Sequence, residues 1–328
     1  MALVPKIYIG GKYGTATVQH GGKSEDTLSS RLKEFGLSVV VDLDQATHYL
    51  SLDVKKSELR DVKESHIPFT SRILIVQEPE VVLPANYAKK FLNQFHHIVL
   101  VGRDPAGPGS TILWPQFRPK KSVESSSSRI GTGAVMVASN HLSFIKGELY
   151  SLRRICAFTI PNLQIYGKGW NHDKKSRFRI ALINLRDLLV YCKQISIPSL
   201  KFWFKKYKHT VESPSDKFAV LNRFRICLVI ENSQEFLSEK LFDAFFARCI
   251  PVYVGPEVLN FGIPQTLVIQ CEPNVTSISE GIRKAEAMNY QLWLEDLNKW
   301  LDSEEIVKRW SFESYVREIS KILLRNSI

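Results

Sequence analysis

From Phe224 to Pro264 the chain reads FRICLVIENSQEFLSEKLFDAFFARCIPVYVGPEVLNFGIP, and this stretch constrains the fold more than any other. Ile226 to Ile230 is an apolar run of buried-strand length. The polar elbow Glu231-Asn232-Ser233-Gln234 follows it. After Ser238-Glu239-Lys240, the residues Leu241, Phe242, Phe245 and Phe246 recur at helical spacing. A second apolar run, Ile250 to Val254, stops at Gly255-Pro256. The pattern predicts a strand, a turn, a helix and a parallel strand, with polar residues gathered where the first strand ends. In open α/β sheets ligands bind at that end. Glu239 and Lys240 fall near the predicted helix start, where unpaired backbone N–H groups, the dipole and a lysine favour phosphate.

This unit resembles the donor-binding half of the α-1,3/4-fucosyltransferases, family 10 of the glycosyltransferases. The matching residues are Glu231, Asn232, Ser233, Phe236, Leu237, Ser238, Glu239, Lys240, Pro251, Tyr253, Gly255 and Pro256, with Phe261 and Pro264 fitting the family's tail. Further residues follow the family's order. Ser139-Asn140 comes after the run Gly133 to Val137, and Ile165-Tyr166-Gly167-Lys168-Gly169-Trp170 looks like the family's strand and glycine turn. There Gly167 and Gly169 permit close backbone approach. The family places a phosphate-binding arginine where this chain has Lys146, which keeps the charge but loses the planar fork. Lys146 either takes that contact or is a solvated surface lysine; Arg153 and Arg154 are substitutes one or two turns along. Phe236 stands where the family usually has tyrosine. In the first half, Arg72 to Pro79 resembles the strand that carries the family's general base, which makes Glu78 the candidate base and Glu80 its rival.

The resemblance implies an α/β protein of two Rossmann-like domains facing a cleft, the GT-B type. The domains are expected at 1–128 (acceptor side) and 129–303 (nucleotide sugar), with a terminal helix over 304–328 that can return to the first domain. It implies an inverting transfer of L-fucose from GDP-fucose to a glycan hydroxyl. In that reading Glu78 accepts the proton, and Lys146, Tyr166, Gly167, Asn232, Ser233, Phe236, Glu239 and Lys240 bind the donor. Lys240 neutralises the departing diphosphate and Glu239 accepts hydrogen bonds from hydroxyls. No cofactor is required beyond the GDP-fucose co-substrate, and a divalent metal at most stimulates. Asp42-Leu43-Asp44 has metal-motif spacing but belongs to the first half.

The rest of the chain agrees with two α/β domains. It has 328 residues, 44% hydrophobic and 23% charged, a size and balance ordinary for two soluble domains. In the first half, apolar runs at Lys6–Ile9, Leu37–Val41, Ile73–Val76 and Ile98–Val101 predict strands, and Tyr87–Phe95 a helix. The glycine pairs Gly10-Gly11 and Gly21-Gly22 do not build a dinucleotide fingerprint. The polar segment from Phe117 to Arg129 reads as the interdomain linker, and Tyr290–Trp300 and Glu304–Leu324 read as helices. Five cysteines without CxxC spacing suit a reduced compartment. No apolar run approaches the roughly 18–20 residues of a membrane span, and no secretory leader is read at the N-terminus. The expectation is a cytoplasmic, soluble bacterial-type member, or a trimmed catalytic domain.

The net charge of +11 admits anionic partners, yet no nucleic-acid-binding signature accompanies it. The segment Ser196 to His209, SIPSLKFWFKKYKH, gathers aromatics and lysines. Helical from Ser199, it would put Leu200, Trp203, Phe204 and Tyr207 on one face, suited either to packing or to the anionic inner face of a membrane. The expected partners are therefore a nucleotide sugar, a glycan acceptor and peripherally an anionic membrane, with no nucleic acid. The rival functions are a two-domain glycosyltransferase using another sugar nucleotide, a non-catalytic glycan- or sugar-nucleotide-binding homologue, and a basic nucleic-acid binder.

Overall fold

The structure is a computed structural model that describes residues 4–14, 27–105, 109–113, 115, 131–191, 197–207 and 216–325. The chain divides into two compact units, Met1–Phe117 with Glu304–Ile328, and Arg118–Ser303. The expected linker, Phe117 to Arg129, and the expected boundary at 128/129 lie outside the described residues.

The first unit is built on β1 (Lys6–Gly10), β2 (Ser38–Val40), β3 (His48–Leu52), β4 (Arg72–Val76), β5 (His97–Val101) and β6 (Ser110–Ile112), joined by α1 (Leu28–Glu34), α2 (Lys56–Glu64) and α3 (Lys89–Leu92). Its sheet runs β2-β1-β3-β4-β5-β6, every pair parallel. Period-2 alternation sends Ile73 and Ile75 to one face with Leu50 and Leu52, and Leu74 and Val76 to the other with Tyr49. Both faces are covered, as a parallel sheet requires.

The second unit holds β7 (Gly131–Val137), β8 (Gln164–Tyr166), β9 (Phe224–Ile230), β10 (Ile250–Val254) and β11 (Ile269–Gln270) in the order β11-β10-β9-β7-β8, again all parallel. Around it lie α4 (Tyr150–Thr159), α5 (Lys174–Tyr191), α6 (Lys217–Leu221), α7 (Lys240–Phe246), α8 (Val275–Ala287) and α9 (Tyr290–Leu301). The chain ends in α10 (Glu304–Trp310) and α11 (Phe312–Arg325). Tyr315, Val316, Ile319 and Leu323 of α11 are buried in the first unit's core beside Leu28 and Leu32 of α1.

Three expected elements take other forms. The stretch from Glu304 to Leu324 is two helices, because Ser311 breaks it and its Oγ accepts from Ser314 N–H at 3.1 Å, which starts a new helix. The Tyr87–Phe95 helix shrinks to α3. Pro84 opens a separate 3-10 turn, and Ala88 between the two is extended, so no continuous helix forms. Over its described residues, 197–207, the basic aromatic segment is irregular chain around a turn at 201–204, with Phe202 at φ 63°; Ser196, Lys208 and His209 lie outside them. Among the described residues no helix is long and apolar enough to cross a membrane.

Candidate functional site

Each unit gathers functional side chains where its parallel strands end. In the first unit the register pairs Leu52 with Ile75, so the residues that follow β3 and β4 emerge side by side. Asp53 follows β3, is fully buried and sits at φ 58°. Its Oδ1 accepts from Gln77 N–H at 2.8 Å, Glu78 N–H at 3.3 Å and Asn86 Nδ2 at 2.5 Å. Its Oδ2 is buried without a hydrogen-bond partner. Burial pushes the Asp53 carboxyl up to about 7; the Gln77 N–H pulls the other way, and the Glu78 charge adds to the rise.

Glu78 is half-buried. Its Oε1 accepts from Tyr13 Oη at 3.2 Å and its backbone carbonyl from Tyr87 Oη at 3.3 Å. Burial, then the charge of Glu78, raises the Tyr13 phenol, so Tyr13 remains a donor. Gln77 points the other way and donates to Tyr315 Oη at 3.1 Å, which ties this loop to α11. Glu80, the rival carboxylate, is also half-buried. Asp53, Tyr13, Asn86 and Tyr87 were not singled out from sequence. Asp53 carries the same signal as Glu78, a carboxylate one or two residues past an apolar run.

In the second unit the motif residues fold back on each other. Glu231 is fully buried at the end of β9. It accepts from Ser238 N–H at 2.9 Å, Ser238 Oγ at 2.7 Å and Lys240 Nζ at 3.4 Å. Gly255 is required beside it, because a Cβ there would lie 2.3 Å from Tyr253 Oη and 2.8 Å from Glu231 Cγ. Much of the motif therefore shapes the turn. Asn232 accepts at Oδ1 from Arg153 at 2.9 Å, and its carbonyl accepts from Leu149 N–H at 3.1 Å. Ser233 is buried and bridges to Glu148.

Behind this turn lies a cavity of about 200 Å³. Its walls are the end of β7 (Val137, Ala138, Ser139), Gly167, the body of β9 with Cys227, and Lys217, Glu239, Lys240 and Asp243 at α6 and α7. Small-ligand pockets usually run from about 300 Å³ upward, so this volume holds part of such a ligand. Lys217 Nζ contacts Asp243 Oδ2 at 2.5 Å. Burial pushes Asp243 up to about 6, with Lys217 opposing and Glu239 adding to the rise. For Glu239, desolvation acts upward, but Lys240, its own backbone N–H, Lys217 and Arg153 together hold it below the usual carboxylate range. His141, two residues past Ser139, keeps an exposed edge. Crowding by protein, then the positive charges of Arg153, His172 and Lys240, depress its imidazole pKa. Two lysines and two carboxylates thus share the wall, with Lys217 paired to Asp243 and Lys240 to Glu231. Sequence spacing offered no signal for Lys217 or Asp243, because they meet only through α6 and α7.

The sequence-predicted donor residues do not all converge. Gly167, Glu239 and Lys240 meet at the cavity wall. Asn232 and Ser233 are tied into the adjoining turn, and Lys146 is exposed in the turn that precedes the Glu148–Ser233 bridge. Tyr166 is buried, its Oη donating to Gln164 Oε1 at 3.4 Å, and Phe236 is buried away from the cavity wall. The close approach allowed by Gly167 and Gly169 is to the chain itself: Cβ atoms there would lie 2.2 Å from the Ala138 carbonyl oxygen and 2.7 Å from that of Asn140.

Arg153 and Arg154 are buried and committed to the fold. Arg153 donates from Nε and Nη2 to the Ile230 carbonyl at 3.1 and 2.6 Å. Arg154 donates to the His141 carbonyl at 2.5 Å and the Ser199 carbonyl at 3.1 Å, and burial lowers its pKa to about 10. Trp203, suited in sequence either to packing or to a lipid surface, is buried against the guanidinium groups of Arg154 and Arg177, 5.1 and 5.2 Å from its ring centre. That double cation–π contact, and not a membrane, accounts for it. Among the described residues no group of three His, Cys, Asp or Glu side chains could hold a metal ion.

No protein-family model matches this chain, and no curated protein matches it in sequence. Solved structures do match by fold. An α1,3-fucosyltransferase shares a TM-score of 0.56 at 11% identity, over 98% of this chain and 90% of that one. The α1,3-fucosyltransferase structure with GDP gives a TM-score of 0.54 at 11% identity, over 98% and 90%. The Anabaena protein Alr3699/HepE in complex with UDP gives 0.54 at 9% identity, over 98% of this chain and 100% of that one. The two parallel-sheet α/β units therefore have the GT-B fold of glycosyltransferases.

Proposed function

We propose that this chain is an inverting glycosyltransferase that binds a nucleotide sugar in its second unit and passes the sugar to a glycan hydroxyl, with GDP-fucose as the favoured donor. The observation that carries this reading is the cavity at the end of β7, β8 and β9, bordered by Lys240, Glu239 and Gly167 in one place. The two lysines offset charge on the diphosphate, and a preorganised cation stabilises the leaving group as charge develops. Glu239, held ionised, accepts hydrogen bonds from ribose or sugar hydroxyls. Asn232 and Ser233 hold the adjoining turn in shape, and Lys146, Tyr166 and Phe236 are assigned to the donor by the resemblance alone. In the first unit Glu78 takes the proton of the attacking acceptor hydroxyl, which lets attack proceed opposite the leaving nucleotide.

GDP-fucose is preferred because the order of motif residues from Ser139 to Pro264 resembles the fucosyltransferases. A UDP-sugar donor is the second reading, favoured by the fold likeness to a protein solved with UDP. The reaction is testable by incubating the full chain with a panel of GDP- and UDP-sugars and glycan acceptors, followed by linkage analysis of the product. Transfer of fucose from GDP-fucose supports the first reading. Transfer only from a UDP-sugar replaces it with the second, and nucleotide-sugar binding without transfer on any acceptor removes the catalytic role.

A further inference from the structure

Helix α5 is turned inside out. An ordinary surface helix buries its apolar stripe and shows its polar face. Here Arg177 is the buried residue, donating to the carbonyls of His172 at 3.0 Å, Trp170 at 2.6 Å and Trp203. The large apolar side chains point outward instead: Phe178, Leu182, Leu185 and Leu189 are each 40% to 72% exposed, and Ile183 and Val190 are exposed farther round the helix, beyond Arg179. At about 100° per residue, the first four fall within roughly 60° of arc and form one continuous stripe along the helix. Exposed Lys174 borders the stripe on one edge, and exposed Lys175 and Arg179 border it on the other.

The first turn of α5 is pinned through Arg177 to the turn around Trp203, which exposes Leu200 and Phe204 next to Lys201 and Lys205. Apolar side chains and basic side chains thus alternate over both segments. Water tolerates scattered exposed leucines, but a stripe of this kind marks a binding face.

We propose that α5, with the neighbouring turn, lies flat on an anionic lipid bilayer. The leucines and Phe178 enter the boundary between headgroups and acyl chains, and the lysines and Arg179 meet lipid phosphates at its edges. Charge selects this occupant. Four exposed basic residues, Lys174, Lys175, Arg179 and Arg186, stand on the helix, whose sequence has one acidic residue, Asp187. A second copy presenting the same face would bring like charges together across a two-fold axis. The buried Trp203 plays no part in the contact, and the proposal does not rest on the reaction above.

Flotation of the full chain with vesicles tests it. Vesicles of phosphatidylcholine with phosphatidylglycerol should carry the protein at low salt, and phosphatidylcholine vesicles should carry little. Lys175→Glu with Arg179→Glu should weaken partitioning about fivefold per residue. Leu182→Ser with Leu189→Ser should weaken it at least about tenfold. Both pairs are exposed, and unchanged thermal unfolding by circular dichroism identifies a folded variant; if one pair unfolds, the other still decides. Failure to float with phosphatidylglycerol vesicles overturns the proposal, as does equal flotation of the folded variants. A concentration-dependent dimer abolished by the leucine pair would overturn it in favour of a second copy on this face.

Discussion

Lys240 Nζ lies 3.4 Å from Glu231 Oε2 and 2.8 Å from Ser238 Oγ, so the motif lysine is already engaged by a fully buried carboxylate. The lysine keeps 20% of its side chain exposed and the carboxylate none. Its charge therefore serves two ends, offsetting Glu231 within the fold and facing the cavity.

Removing that lysine should cost stability as well as binding. Lys240→Ala leaves the Glu231 charge buried and unmatched, and breaking a buried pair costs up to about 3 kcal/mol when one partner is partly solvated. Glu231→Gln combined with Lys240→Met removes both charges and should recover most of that loss. Urea denaturation of the single and double variants measures the difference. Equal instability of the two would show that the pair is not what Lys240 holds.

Asp53 predicts a specific pH dependence. Its folded-state pKa is raised to about 7, so the folded chain binds a proton more tightly than the unfolded chain does. Its contribution to stability is full below the unfolded value near 4 and is lost as pH rises through 7. Asp53→Asn should flatten the stability profile over that window. Chemical denaturation at a series of pH values reads this directly; an unaltered slope in the variant would exclude Asp53 as its source.

Gly167 should not tolerate a side chain. It sits at φ 143°, and a Cβ would collide with the Ala138 carbonyl oxygen. Gly167→Ala should destabilise by about 2 kcal/mol or more through backbone strain, and it should disturb the cavity wall. The melting temperature is the readout, and a neutral substitution would mean that β7 and β8 separate easily at this point.

His141 should report an anion in the site. Arg153, His172 and Lys240 depress its pKa, after desolvation. A bound diphosphate offsets part of that positive field, so the imidazole pKa should rise when GDP binds. Titration of the histidine ring protons by NMR, with and without GDP, would show the shift. A pKa unmoved by saturating GDP would place the anion elsewhere.

Glu78→Gln should cut turnover roughly 100- to 10,000-fold, the worth of a positioned general base, and Glu80→Gln far less. GDP affinity should stay nearly unchanged in both, because the donor residues belong to the other unit. Steady-state assay with the preferred donor distinguishes the two carboxylates. A crippled Glu80→Gln with a normal Glu78→Gln would transfer the role.

The parallel sheets were legible because buried strands and their helices impose apolar runs of characteristic length and period, as Ile226–Ile230 and Ile73–Val76 did. The ordered motif from Glu231 to Pro256 also located the cavity. Side-chain roles were less legible. Glu231 reads only as one residue of a polar elbow in sequence, yet it is fully buried and takes three hydrogen bonds from Ser238 and Lys240. Arg153 and Arg154 read as phosphate ligands, but carbonyls some fifty to eighty positions away take them. Trp203 among its lysines suits packing or a surface equally in sequence, and Arg154 and Arg177 against its ring decide for packing. Each of these depends on partners distant in the chain, which periodicity and spacing do not carry.

The proposed donor site lies in the second unit. Calorimetric titration of GDP and UDP into the wild type and into the stable Glu231→Gln, Lys240→Met double variant tests it most directly. Saturable nucleotide binding in the wild type is predicted, weakened in the double variant by about 1.5–3 kcal/mol, the worth of a charge-assisted hydrogen bond. Equal affinity in both proteins, or no binding of either nucleotide to the wild type, would contradict it.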